Sequence, residues 1–310
     1  MKGKENTSFS IIIPTYNNYT SLHNIVSKLL TIPYDNFNII IINDGSNDAT
    51  EQYLSKIHNH NKKVIVFNQE NLGVSAARNT GIRNADNDYI IFIDDDDDVT
   101  VNIFNVLNKA IIENNYPDFI RYSGIRIDKN GGKTSIKGFE SNVDIIEQIT
   151  NPKRHIDCYT PLLAIKNKNI KKFREDLKYL EDDVFYLDNL SRKSIRIVTI
   201  PNKLYTYRYN EASKTKNINN YEQNFNDLVK SGETMMRHRA LTRRQSFYTQ
   251  SKICNLIFWK TRIILAQNGT KKARKLAKIG YKNLKDAKIK PSIITPKSLL
   301  KYYLIKLFAL

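Results

Sequence analysis

Cysteine is nearly absent: 310 residues include only Cys158 and Cys254. Two such residues build no disulfide framework and no Cys-x-x-Cys metal spacing, and a reducing, cytoplasmic compartment is the expectation. Long apolar runs are missing too. No stretch approaches the roughly 20 residues that span a bilayer, and the polar segment Met1–Ser8 has no signal-like apolar core. Glycine is sparse, at 11 residues. No Walker-type lysine loop occurs, which disfavours P-loop phosphoryl transfer, and no Gly-x-Gly-x-x-Gly supports a dinucleotide site. His23, His58, His60, His155 and His238 form no His-Glu-x-x-His pair and no Ser/His/Asp set.

What is present begins with a hydrophobic fraction of 41%, enough for a sizeable core. The net charge of +18 is confined to one block. From Lys230 onward there are 20 Lys or Arg against Glu233 and Asp286, whereas the first 229 residues balance. Such a block implies an anionic partner, namely a membrane surface, a phosphate-rich polymer or nucleic acid, or else a helical appendage with a solvated basic face.

Strand-like and helix-like segments alternate through the first half. Apolar runs at 9–13, 38–42, 64–67 and 89–93 read as buried strands, the first ended by Pro14. Helical spacing covers 21–30, 76–85 with Ser75 as cap, and 101–113, and Asp48 with Glu51 resembles a capping box. The segments 119–127 and 134–139 flank Asn130-Gly131-Gly132, a hairpin turn. A helix at 182–190 and short strands at 195–200 and 203–209 follow, and beyond about Asn217 the pattern is helical and basic. The order predicts an α/β fold, a mostly parallel sheet with helices on both faces plus a basic helical C-terminal region. The expected domains are 1–216, with a nucleotide half to about 125 and an acceptor half from 126, and 217–310.

In an open parallel sheet, ligands bind at the carboxyl ends of the strands. After the first strand stand Pro14, Thr15, Tyr16, Asn17 and Asn18. Asp44, Gly45 and Ser46 follow the second, Arg78 lies one turn into the helix after the third, and Asp94–Asp98 follow the fourth. Singly these are turn formers and caps; four sets on one edge make a nucleotide site. Five adjacent aspartates repel one another unless something neutralises them. A divalent cation with hard-oxygen preference, carried with substrate phosphates, would do so. A second patch, Glu181-Asp182-Asp183, reads equally as helix first-turn acids or as a general base for a hydroxyl acceptor.

Together these motifs resemble the family-2 glycosyltransferases, which have the GT-A fold. The likeness runs from Phe9 to Ser213 and rests on Ser10–Asn17, Ile42–Thr50, Asn71–Ile82, the Asp-x-Asp motif within Ile91–Asp97, and Leu180-Glu181-Asp182. It implies inverting transfer from a UDP-sugar to a cell-surface glycan, lipid-linked saccharide or teichoic acid. Thr15, Tyr16, Asp44 and Arg78 would then line the base pocket, and Asp94 would meet the ribose. Asp96 would bind Mn²⁺ or Mg²⁺, a role Asp95 could share, and Asp182 would be the base. After the Tyr-x-Tyr-Arg segment Tyr205–Arg208, Asn210 stands where many relatives carry a histidine, and Arg208 or Lys214 is the expected substitute. The C-terminal block would bring the chain to the inner face of the membrane, where Leu299–Leu310 could lie in the lipid interface. The alternative is a nucleic-acid- or anionic-polymer-binding protein without catalysis, but no nucleic-acid-binding motif is present.

Overall fold

A computed structural model describes residues 6–151, 156–168, 170–192, 194–209, 221–286 and 296–309. The described elements, in order, are β1 (Phe9–Thr15), α1 (Tyr19–Thr31), β2 (Phe37–Asp44), α2 (Ala49–His60), β3 (Val64–Gln69), α3 (Val74–Asn84), β4 (Tyr89–Phe92), β5 (Asp98–Val99), α4 (Ile103–Glu113), β6 (Phe119–Ile127), β7 (Lys133–Ile136), α5 (Ile145–Thr150), β8 (Leu163–Lys166), α6 (Glu181–Leu190), β9 (Ile197–Arg208), α7 (Tyr221–Met236), α8 (Arg243–Asp286) and α9 (Pro296–Ala309). The chain divides into two compact units. One comprises Met1–Asn142, Asp157–Glu175 and Arg192–Asn210, and the other Val143–Ile156, Asp176–Ser191 and Glu211–Leu310. The expected cut at 216/217 lies outside the described residues.

The first unit is built on a mixed sheet of order β3-β2-β1-β4-β8-β6-β9-β5, with β7 on β6. β1 to β4 are parallel, as expected for strands joined by helices. The two-residue period of a strand sends alternate side chains to opposite faces. Ile11, Ile13, Ile39, Ile41 and Ile91 face one way and pack with Leu22, Ile25 and Leu29 of α1 and Phe104, Leu107 and Ile111 of α4. On the opposite face Ile12 meets α3 at Gly81, where a Cβ would come within 2.3 Å of Ile12 Cγ2. Only glycine allows that approach. This is the α/β arrangement expected from the strand–helix order, and it matches the GT-A fold that the family resemblance implies.

Several elements depart from the expectation. Pro14 does not end β1 but lies inside it. Ile12 turns its carbonyl to β4, accepting from Ile93 N at 3.0 Å. Pro14, two residues on, faces the same side past the end of β4, so its missing N–H costs no ladder bond. The α3 N-cap is Gly73, at φ 93°, rather than Ser75, which is buried in the first turn. The segments 195–200 and 203–209 are one strand, β9. Its register against β6 shifts between Arg121 and Gly124, so Pro201 falls at the irregularity. Strand β8 pairs antiparallel with β4 and β6, and it, β5 and α5 were not legible. The Asn130-Gly131-Gly132 turn is present, with Gly131 at φ 81°.

The second unit is helical. Leu228, Ile253, Ile257, Leu276, Leu284, Tyr302 and Ile305 form its core with Tyr179. α8 kinks at Gly269, whose φ of 79° interrupts the helix. Asp183 is buried and ion-paired with Lys252, and His238 meets Asp188 at 3.1 Å.

Candidate active site

The strand order brings the C-terminal ends of β1, β2 and β4 to one edge. Asp44, buried at the end of β2, accepts at Oδ1 from Gln69 Nε2 (2.8 Å) and Leu72 N (2.9 Å), and at Oδ2 from Gly73 N (2.9 Å). Its carboxylate therefore shapes the loop that opens α3. Gly45, at φ 80°, lets that loop close: a Cβ would lie 2.9 Å from Asn71 N. Ser46 Oγ accepts from Asn17 N at 3.0 Å, and the Asn17 side chain donates to Asn47 Oδ1 and accepts from Asn47 N. Asn17 sits at φ 50°, a left-handed turn that Asn tolerates. Tyr16, between buried Thr15 and this turn, is exposed.

Helix α3 delivers Arg78 to the acidic run. Its guanidinium is buried over the Phe173 ring (5.3 Å) and donates to Asp94 Oδ1 at 2.8 Å. Asp95 turns back to β1 and α1, accepting from Thr15 Oγ1 at 2.6 Å and Asn18 Nδ2 at 2.9 Å. Asp97 is buried, accepting from Tyr205 Oη at 2.5 Å and Arg208 N at 2.8 Å. Asp98 receives Lys28 Nζ at 2.6 Å and the Arg208 guanidinium at 2.9 Å. Tyr205 also accepts from Asp94 N at 3.3 Å, so one buried hydroxyl ties both ends of the acid loop to β9.

The electrostatics follow from this packing. Burial pushes Asp95 up to about 7, against the bonds from Thr15 and Asn18, with the charges of Asp96 and Asp94 adding to the rise. Burial, then the charge of Asp94, pushes Asp97 up to about 8. Burial also raises Asp98, but Lys28 and Arg208 outweigh it and hold its carboxyl below the usual range. Asp96 is half-buried and, with Asp95, Lys28 and Arg208, lines a cavity of about 400 Å³ between α1 and the acid loop.

Among the described residues no three His, Cys, Asp or Glu side chains converge as a cage for a metal. Asp95 and Asp96 on the cavity wall are hard-oxygen carboxylates of the kind that would hold Mg²⁺ or Mn²⁺ together with substrate phosphates. The expected residues Pro14, Thr15, Tyr16, Asn17, Asp44, Gly45, Ser46, Arg78, Asp94, Asp95, Asp96 and Arg208 thus all belong to the first unit. Asp182 belongs to the second, in the first turn of α6 behind Leu180, which is held at φ 53°. Asn210 and Lys214 lie outside the described residues. Sequence reasoning missed Lys28 and above all Tyr205, and it placed Asn18 only among the polar residues that follow the first strand. The Tyr-x-Tyr-Arg segment carrying Tyr205 was visible, but nothing in it showed which tyrosine turns inward.

Residues 10–173 match the model described as Glycosyl transferase family 2. Glycosyltransferase GlyA of Streptococcus pneumoniae is 26% identical over 218 residues, 67% of this chain and 31% of that protein. The minor teichoic acid biosynthesis protein GgaB of Bacillus subtilis is 28% identical over 250 residues, 74% of this chain and 27% of its own length. The chain thus spans about a third of these curated relatives. The crystal structure of Staphylococcus aureus TarS 1–349 with UDP-GlcNAc matches 97% of this chain and 88% of that one, with TM-score 0.68 at 15% identity. On its matched motifs, the chain belongs to the family-2 glycosyl transferases.

Proposed function

We propose that the chain moves a sugar from a nucleoside-diphosphate sugar, a UDP-sugar, to a hydroxyl of a cell-surface glycan, lipid-linked saccharide or teichoic acid, with inversion. The observation that carries the reading is the pairing of Arg78 with Asp94 at the carboxyl edge of the sheet, where a nucleotide binds in folds of this kind. The teichoic acid role in the name of GgaB and the UDP-GlcNAc in the TarS structure support the acceptor and donor classes.

Exposed Tyr16 offers a ring to a base, and the Asp44 carboxylate would accept a hydrogen bond from it. Asp94, oriented by Arg78, would accept from the ribose hydroxyls. Asp96 would hold Mn²⁺ or Mg²⁺, with Asp95 as its alternate. When bound, such an ion offsets the charge of a departing diphosphate. Arg208, on the rim of the same cavity, would add a cation for the diphosphate. In the reaction the acceptor oxygen attacks the anomeric carbon opposite the diphosphate. The bond to the diphosphate breaks with its electron pair, and Asp182 takes the acceptor proton. The neighbouring carboxylate, Asp183, is ion-paired with Lys252. Residues 1–216 would supply donor and acceptor handling.

The test is the product released from a panel of nucleotide sugars with Mn²⁺ present. Nucleoside diphosphate from one donor is the expected result. Pyrophosphate would mean nucleotidyl transfer, and no release or nucleotide binding at all would favour a binding protein.

A further inference from the structure

The last helix presents apolar side chains on two opposite faces. Tyr302 and Ile305 of α9 are buried in the helical core. Leu300, Tyr303, Leu304 and Leu307 are exposed, Leu300 at 62% and Leu307 at 71%. At about 100° per residue, these four fall within a stripe roughly 100° wide on the side opposite the buried pair. Packing explains the first face and leaves the second bare to water, and contiguous exposed apolar surface marks a contact site.

The flanks of the stripe carry the chemistry of the partner. Lys301 stands on one side and Lys306 on the other, by the same spacing. Lys301 Nζ lies 5.7 Å from the ring of Trp259 on α8, which is 51% exposed and carries Arg262 against it at 5.2 Å. An indole beside a leucine stripe, with cations at its margins, is the composition of a helix lying in a lipid interface. The 20 basic residues against two acids from Lys230 onward make the surrounding field positive. No helix among the described residues is long and apolar enough to cross a bilayer.

We infer that the exposed face of α9, with Trp259, is a docking surface for an anionic lipid bilayer. The leucines enter the acyl boundary while Arg262 and Lys306 meet anionic headgroups, and Lys301, held by Asn255 Oδ1 at 2.9 Å, ties α9 to Trp259. The inference is independent of the transfer chemistry, which resides on other residues.

The experiment is co-sedimentation of the full chain with phosphatidylcholine vesicles, with and without phosphatidylglycerol. It compares wild type with the double variant Leu304→Glu/Leu307→Glu, whose sites are solvent-exposed and whose melting temperature should hold. Wild type should bind the anionic vesicles at low salt, with weaker binding to neutral ones. The double variant should bind at least roughly tenfold more weakly while releasing nucleoside diphosphate at the wild-type rate. Wild-type binding by the variant, or no binding by either protein, overturns the inference. Self-association that the variant abolishes, without vesicle binding, would assign the face to a second copy instead.

Discussion

The acid loop after β4 and the basic helices after residue 230 are two charge blocks of opposite sign, and they are built in opposite ways. In the first, five carboxylates are packed into a loop that folding partly dries. Asp94, Asp95, Asp97 and Asp98 are each met by a specific donor from another element: Arg78, Thr15 with Asn18, Tyr205, and Lys28 with Arg208. In the second, cations such as Arg274, Lys278 and Lys282 stand exposed on α8. Charge removed from water has to be compensated, so the arrangement of the first block is specified atom by atom. Charge left in water needs no internal partner, and it acts as a field on whatever comes near. The first pattern suits chemistry, the second a surface.

The largest expected effect falls on neither block. Asp182→Asn should lower transfer about 10³-fold while leaving UDP binding intact by calorimetry. Near-normal transfer would remove Asp182 from the role of base. Asp96→Asn strikes the acid block directly and should cost roughly 10²-fold in nucleoside diphosphate release at saturating donor. An active Asp96→Asn with an inactive Asp95→Asn would move the ligand one residue back along the run. Tyr205→Phe tests whether the support of the loop matters as well as its charge. It removes the hydrogen bond to Asp97 and should weaken Mn²⁺ affinity roughly tenfold, with kcat at saturating metal nearly restored. A merely structural role for Tyr205 would lower kcat and the melting temperature together, with no metal rescue. The smallest effect is expected from Arg274→Gln/Lys278→Gln/Lys282→Gln. Nucleoside diphosphate release should stay within about twofold and stability within about 0.5 kcal/mol, while vesicle binding loses part of its salt dependence. A strong loss of catalysis would erase the distinction between the two blocks.

Legibility in the sequence followed the same division. β1, β2 and β4 stood out because their apolar residues run unbroken into a sheet buried on both faces, as in Ile11-Ile12-Ile13 and Ile39–Ile42, and half-buried β3 because its apolar run Val64–Phe67 is compact. The candidate edge was brought together from the same residues, because it needs only those that follow each strand. β5 is two residues long and exists through its pairing with Tyr205 and Thr206, so no local pattern could announce it. β9 looked like two strands because Pro201 reads as a break, and only the register shift against β6 shows why proline is tolerated there. Gly73 took the cap position from Ser75 because Asp44, 29 residues away, reaches its N–H. Tyr205 is the clearest case. Its contacts to Asp97 and Asp94 span more than 100 residues, a distance that periodicity and spacing do not bridge.

The measurement closest to the central claim is the affinity of the wild-type chain for UDP, by calorimetry, with Mn²⁺ and then with EDTA. If the acid loop is a metal–diphosphate site, UDP binds at least roughly tenfold more tightly with the ion than without it. Equal affinity in the two conditions would contradict it.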